Sequence, residues 1–338
     1  MVHVVRMDWP HFGVPDLAPV LTLAELRGRI ARLRAVAVRR GYQAVVVYGD
    51  REHFANIQWL TGFDPRFEEA VLVVTPEDAL LLAGNECLTY TAVSPLVMAG
   101  DIRVSHCASL SLPSQPRASR RLKDILAEIV PGGLVGAVGW KWFGPTEVDD
   151  PATALDIPAF LADPLRRMAD RVENATDLMM HPSHGLRARV DAAEIARLEF
   201  SNHMAAAALR RMAFALHEGM TDFAAFEAAR LGGLPLGCHQ TFAVGGHGLS
   251  GPTGAVIRRG LPISFNICHW GSNICRAGWV AMGPQDLPDA AQDYLEVFAG
   301  PYLEAMSVWC DLMQPGLVAG RSGPRCGRRC RSICLGSS

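Results

Sequence analysis

Three short apolar runs limit what this chain can fold into: Ala-Val-Val-Val-Tyr at 44–48, Ala-Val-Leu-Val-Val at 70–74 and Ala-Leu-Leu-Leu-Ala-Gly at 79–84. Runs of this length, rich in branched residues, read as buried strands. A helix signal precedes them. Thr22 and Glu25 have the spacing of a capping box. Leu26, Ile30, Leu33 and Val36/Val38 then form one stripe with arginines opposite, until Gly41 stops the helix. The stretch Asn56–Gly62, a helix near 118–130 and a short strand at 134–138 follow. Strands alternating with helices indicate an α/β domain. With an N-terminal arm of about 20 residues it covers 1–170, closing after the proline-rich stretch that ends at Pro164.

Beyond 170 the pattern changes. Asp191 and Glu194 form a second capping box, and Ile195, Leu198, Met204/Ala205, Leu209 and Met212 continue at helical spacing to about His217. Gly219 ends that helix, and Thr221 caps another that runs to about Arg230. Glycines and short strands follow at 241–246, 263–267 and 274–283, then a long helix at 288–313. Helices followed by antiparallel strands indicate an α+β domain over 171–320.

The 338 residues suffice for two domains, and a hydrophobic content of 49% with 20% charged residues suits a folded globular protein. A formal net charge of −2 gives no reason to expect nucleic acid or an anionic membrane as a partner. No apolar run reaches the roughly 18–20 residues of a membrane span. The first residues lack the apolar segment of a signal peptide. The nine cysteines then read as reduced thiols of a cytoplasmic protein. Residues 321–338 stand apart, with five arginines, three cysteines and no acid. Cys326, Cys330 and Cys334 would share one face of a helix. Three thiolates are one ligand short of a zinc site, and the alternative is a disordered basic end.

The order of these parts resembles the creatinase, prolidase and aminopeptidase P family. Three stretches carry the likeness: the capped helix with 44–63 and its Asn56-to-Gly62 turn, residues 194–228 with the Gly219-Met220-Thr221-Asp222 start of a helix, and the hairpin from Arg258 to Val280. The resemblance covers roughly 20–318. It implies an α/β creatinase-type N-terminal domain followed by an α+β domain that is part of a pita-bread catalytic domain.

The family's metal-dependent members hold two metal ions with two aspartates, a histidine and two glutamates. The two aspartates lie on this hairpin, eleven positions apart. Those positions here carry Asn266 and Ala277, neither of which supplies an anionic oxygen, so no metal is expected. Creatinase has the same replacements in the resemblance, and works without metal through a histidine. The family's remaining groups lie downstream, where this chain offers only Asp311 before the arginine-rich tail. That implies a chain truncated at its C-terminus, as by a frameshift.

His247, in a glycine-rich loop, lies near the position of that catalytic histidine, which aligns with Leu249. It is a candidate general acid/base or an exposed loop residue. His239, just before a strand, reads as a half-buried strand-end histidine. In the hairpin turn with His269 and Asn273, Arg276 is a candidate clamp for a substrate carboxylate, and Trp270 and Trp279 candidate pocket walls. The alternatives are a solvated arginine and core tryptophans. Cys268 and Cys275 read as buried free thiols rather than a nucleophile or a disulfide. Arg66, beside Glu68 and Glu69, is a candidate substrate contact or part of a solvated charge cluster.

These readings together describe a homodimer without cofactor, whose parent chemistry is C–N bond hydrolysis of a small amino-acid derivative or short peptide. The chain itself is expected to be inactive. A non-catalytic dimerising or regulatory partner, and a remnant without function, are the alternatives.

Overall fold

The computed structural model describes residues 8, 10, 13–246 and 250–318. The chain forms two compact units, Val20–Ile195 and a second made of the N-terminal 19 residues with Ala196–Ser338. The expected boundary at 170 falls inside the first unit. The reason is a strand that the sequence reading passed over.

The first unit is built on α1 (Leu23–Arg39), β1 (Ala44–Gly49), α2 (Ala55–Thr61), β2 (Ala70–Val74), β3 (Ala79–Ala83), β4 (Arg103–His106), α3 (Leu122–Ile129), β5 (Leu134–Val138), α4 (Ala159–Met168) and β6 (Arg171–Asn174). The sheet order is β4-β3-β2-β1-β5-β6. β6 pairs parallel to β5, Val135 opposite Val172, which carries this domain past residue 170. β1 is parallel to β5 and antiparallel to β2.

Every residue of β1, β2 and β3 is buried, because helices cover both faces of the sheet. Leu26, Ile30 and Leu33 of α1 pack on Val45, Val47 and Leu72. Leu122, Ile125 and Leu126 of α3 and Leu161 of α4 pack on Val46, Val71 and Leu82 on the other side. The capping box forms as read: Thr22 Oγ1 accepts from Glu25 N at 3.2 Å, and the Glu25 carboxylate accepts from Thr22 N at 2.7 Å.

The expected turn at 56–62 is instead the helix α2. Gly62 closes it in the left-handed conformation at φ 78°, and Ile57, Trp59 and Leu60 are buried beneath it. A turn motif and a short glycine-capped helix share the same end signal, and burial of the apolar side chains decides between them.

The second unit contains α5 (Ala192–Ala215), which starts in the preceding unit, then α6 (Asp222–Ala229), β7 (Phe242–Val244), β8 (Pro262–Ile267), β9 (Ile274–Trp279) and α7 (Gly300–Leu312). The three strands form an antiparallel sheet in the order β7-β8-β9. Ala205, Ala208, Leu209 and Met212 of α5 pack against Phe242, Ile263, Phe265 and Ile267. The alanines let the helix approach the sheet closely. Thr221 caps α6 through Oγ1, which accepts from Ala224 N at 3.2 Å. Asp222 beside it is fully buried, and its carboxylate accepts from Thr253 N at 2.7 Å and Gly254 N at 2.8 Å.

The long helix expected over 288–313 is interrupted. A π-helical turn at Leu295–Ala299 precedes α7, and Pro301 sits in the first turn of α7. Proline has no N–H to give to the preceding turn, so the regular ladder cannot run through it.

Candidate functional site

The β8–β9 hairpin sets two faces by its register. Phe265 pairs with Arg276, Asn266 with Cys275, and Ser264 with Ala277. Directly opposed residues share a face and successive residues alternate. Ser264, Asn266, Cys275 and Ala277 therefore stand on one face. Phe265, Ile267, Ile274 and Arg276 stand on the other, towards α5.

Asn266 and Ala277 are thus diagonal neighbours on a single face, the geometry two metal-bridging carboxylates would need. The chemistry is different. Asn266 is 7% exposed. Its Oδ1 accepts from Thr241 N at 2.6 Å and Thr241 Oγ1 at 3.1 Å, and its Nδ2 faces Cys238 Sγ at 3.8 Å. The oxygen's two lone pairs are engaged by donors, and Ala277 offers only a methyl group. Among the described residues, no group of three or more His, Cys, Asp or Glu side chains could hold a metal ion. Neither side chain supplies an anionic oxygen on this face.

At the end of the hairpin, His269 is buried, and neither of its ring nitrogens has a hydrogen-bond partner. Burial alone pushes its imidazole below the ordinary histidine range. Its neighbour Cys268 donates from Sγ to Ser272 O at 3.0 Å and also interacts with the Cys238 thiol. Burial, reinforced by Cys238, raises the Cys268 thiol to about 11, so it is not a nucleophile at neutral pH. Cys275 is exposed rather than buried, and both cysteines are free. No disulfide spans the hairpin.

Trp270 is pinned to the 235–236 segment, its N donating to Pro235 O and its Nε1 to Leu236 O, each at 3.1 Å. Trp279 lies on the Asn266 face by register and meets Tyr294 edge-on with ring centroids 6.2 Å apart. Asn273 is exposed. His239 is exposed too, not half-buried, because the segment before β7 runs along the surface. Arg276 is not brought together with Asn266: it stands on the α5-facing side, with Nη1 donating to Cys275 O at 2.7 Å.

Arg66 belongs to the first unit. It adopts a left-handed backbone at φ 54° and lies over Tyr90, 5.3 Å from the ring centroid. Its neighbours are structural rather than solvated. Glu68 is buried and accepts from Cys87 N at 2.9 Å, and Glu69 bonds the Tyr48 hydroxyl. His247 and Cys326, Cys330 and Cys334 lie outside the described residues. Sequence reasoning missed Thr241, the partner of Asn266. The only available signal was a hydroxyl residue at the start of a strand, a pattern that also fits an ordinary edge.

Residues 29–139 match the family described as the creatinase/prolidase N-terminal domain. The chain carries a creatinase/prolidase N-terminal domain. Solved structures extend the likeness over both units. The prolidase from Pyrococcus horikoshii OT3 superposes with a TM-score of 0.64 at 14% identity, over 91% of this chain and 77% of that one. The aminopeptidase PepP of Pseudomonas aeruginosa gives 0.62 at 16% identity, over 92% and 73%. The dipeptidase PepE of Mycobacterium ulcerans gives 0.57 at 18%, over 96% and 78%. No curated protein matches the chain. The creatinase/prolidase-type N-terminal domain is therefore followed by a partial pita-bread fold. Among the described residues no helix is long and apolar enough to cross a membrane.

Proposed function

We propose that this chain is a metal-ligand-deficient relative of the prolidases and aminopeptidases. Its parent chemistry is hydrolysis of a C–N bond in a small amino-acid derivative or short peptide, without metal, and the chain by itself does not sustain turnover. The supporting observation is the Asn266 side chain, whose oxygen is engaged by Thr241 while Ala277 beside it has no donor atom. A hard divalent ion needs anionic oxygen there to offset its dehydration. His247 remains the candidate acid/base of the parent reaction, with Trp270 and Arg66 as candidate substrate contacts. Arg276 leaves that set, because it faces away from Asn266. The protein in this reading is a cytoplasmic homodimer without cofactor.

A second reading, a non-catalytic dimerising partner, draws on β9. Among the described residues it pairs only with β8, leaving an edge open for another chain.

The test is an assay of the full chain on X-Pro dipeptides, longer X-Pro peptides and creatine, with and without added Mn²⁺, alongside elemental analysis. The expected result is no stoichiometric metal and rates near background. Turnover abolished by His247→Ala, or bound metal lost in Asn266→Ala, overturns the proposal.

A further inference from the structure

The face of the hairpin opposite Asn266 borders a cleft of about 660 Å³ in the second unit, between α5 and the sheet. This size lies within the range of small-molecule sites. Phe265 and Ile274 of the sheet and Leu209 and Phe214 of α5 give it apolar walls. Pro10, Gly13, Val14 and His203 complete one side, and among the described residues its charged lining is arginines at 210, 211 and 276, with no carboxylate.

The three arginines differ in what already satisfies them. Arg211 is committed to the end of α6, donating to Ala229 O at 2.9 Å and Arg230 O at 3.0 Å. Arg210 lies over Phe214, 5.3 Å from the ring centroid, with a buried Nε that has no hydrogen-bond partner. Arg276 uses one nitrogen on the Cys275 carbonyl. Among the described residues none of the three forms an ion pair. A buried guanidinium N–H left unpaired is costly, and a carboxylate is the group whose geometry matches it.

We propose that this cleft binds an amphipathic monocarboxylate, an acyl or aryl acid, with its carboxylate on Arg210 and Arg276 and its apolar body against Phe265, Ile274 and Leu209. The site is separate from the Asn266 face, since Phe265 and Arg276 point to the other side of the sheet. It does not depend on whether the chain hydrolyses anything.

The test is calorimetric titration of the full chain with decanoate below its micellar range, with decanol and decylamine in parallel. Decanoate should bind saturably, one per chain, and more tightly than either neutral or cationic analogue. Arg276→Gln, an exposed position that leaves the core intact, should weaken decanoate by on the order of tenfold, and Arg210→Gln similarly. Ala207→Trp, which fills the cleft, should abolish binding with the circular dichroism spectrum unchanged. Equal affinity for decanol, indifference to Arg276→Gln, binding that survives Ala207→Trp, or no saturable binding would each overturn the proposal.

Discussion

Thr241 and Asn266 are locked together across the edge of the small sheet: both the N–H and the hydroxyl of Thr241 donate to the Asn266 side-chain oxygen, at 2.6 and 3.1 Å. A carboxylate could take the same two hydrogen bonds, so Asn266→Asp should fold normally. It should still bind no Mn²⁺ in calorimetry, because Ala277 supplies no second anionic oxygen. The double variant Asn266→Asp, Ala277→Asp places two carboxylates on one face and is the smallest change from which weak uptake is expected. Stoichiometric metal in the single variant would refute this account of the site.

His269 yields a prediction about pH. Its ring is buried with neither nitrogen paired, and burial holds it neutral in the folded state. The unfolded chain takes up a proton on this histidine as pH falls through roughly 6.5, whereas the folded chain resists. Stability should therefore decline as pH falls below that value. His269→Phe removes the unpaired atoms at similar volume. It should raise stability by about 1–2 kcal/mol at pH 7.5, and the gain over wild type should be larger at pH 5.5, as read by urea unfolding at both values.

Asp222 carries the opposite kind of buried group. Burial pushes its carboxyl up, but the N–H groups of Thr253, Gly254 and Ala255 outweigh that and hold it below the usual aspartate value. The stabilisation is present above the ordinary aspartate pKa of about 4 and is lost as pH falls through the lower folded value. Asp222→Ala leaves those N–H groups buried without an acceptor and should cost about 3 kcal/mol. Thermal melts from pH 7 to 3 should show a shallower acid slope in this variant than in wild type. Equal slopes would mean that another group controls the acid limb.

Much of the first domain was legible because its signals are local. The Thr22–Glu25 box, the three apolar runs and the Gly41 stop each act within a few residues and survive in the fold. What escaped was set by long-range pairing. β4 and β6 are four-residue strands with mixed exposure, and only their parallel neighbours β3 and β5 make them strands. On the hairpin, it was the family resemblance that singled out Asn266 and Ala277 together, and the register sets them on one face. The sign of a face depends on register, however, and one step of alternation sends Arg276 to the other side. The partner of Asn266 lies 25 residues upstream, a distance no local pattern encodes.

The last prediction concerns the β9 edge. Cys275, Arg276 and Ala277 are exposed along it, and among the described residues only β8 pairs with β9. An open edge presents N–H and C=O groups that can be paired by another strand, and natural sheets blunt such edges with charge, lysine above all. Here Arg276 is the single charged side chain of the strand, and it faces α5. The Asn266 face of β9 has only Cys275, Ala277 and Trp279, with no charge to oppose a second edge. The full chain should therefore self-associate at micromolar concentration through β9. Ala277→Lys puts a charge on the uncovered face, leaves the hydrogen bonds to β8 in place, and should shift sedimentation towards monomer without lowering the melting temperature. Association unchanged by this substitution would assign the contact to another surface, such as the exposed Phe298, Tyr302 and Trp309 around α7.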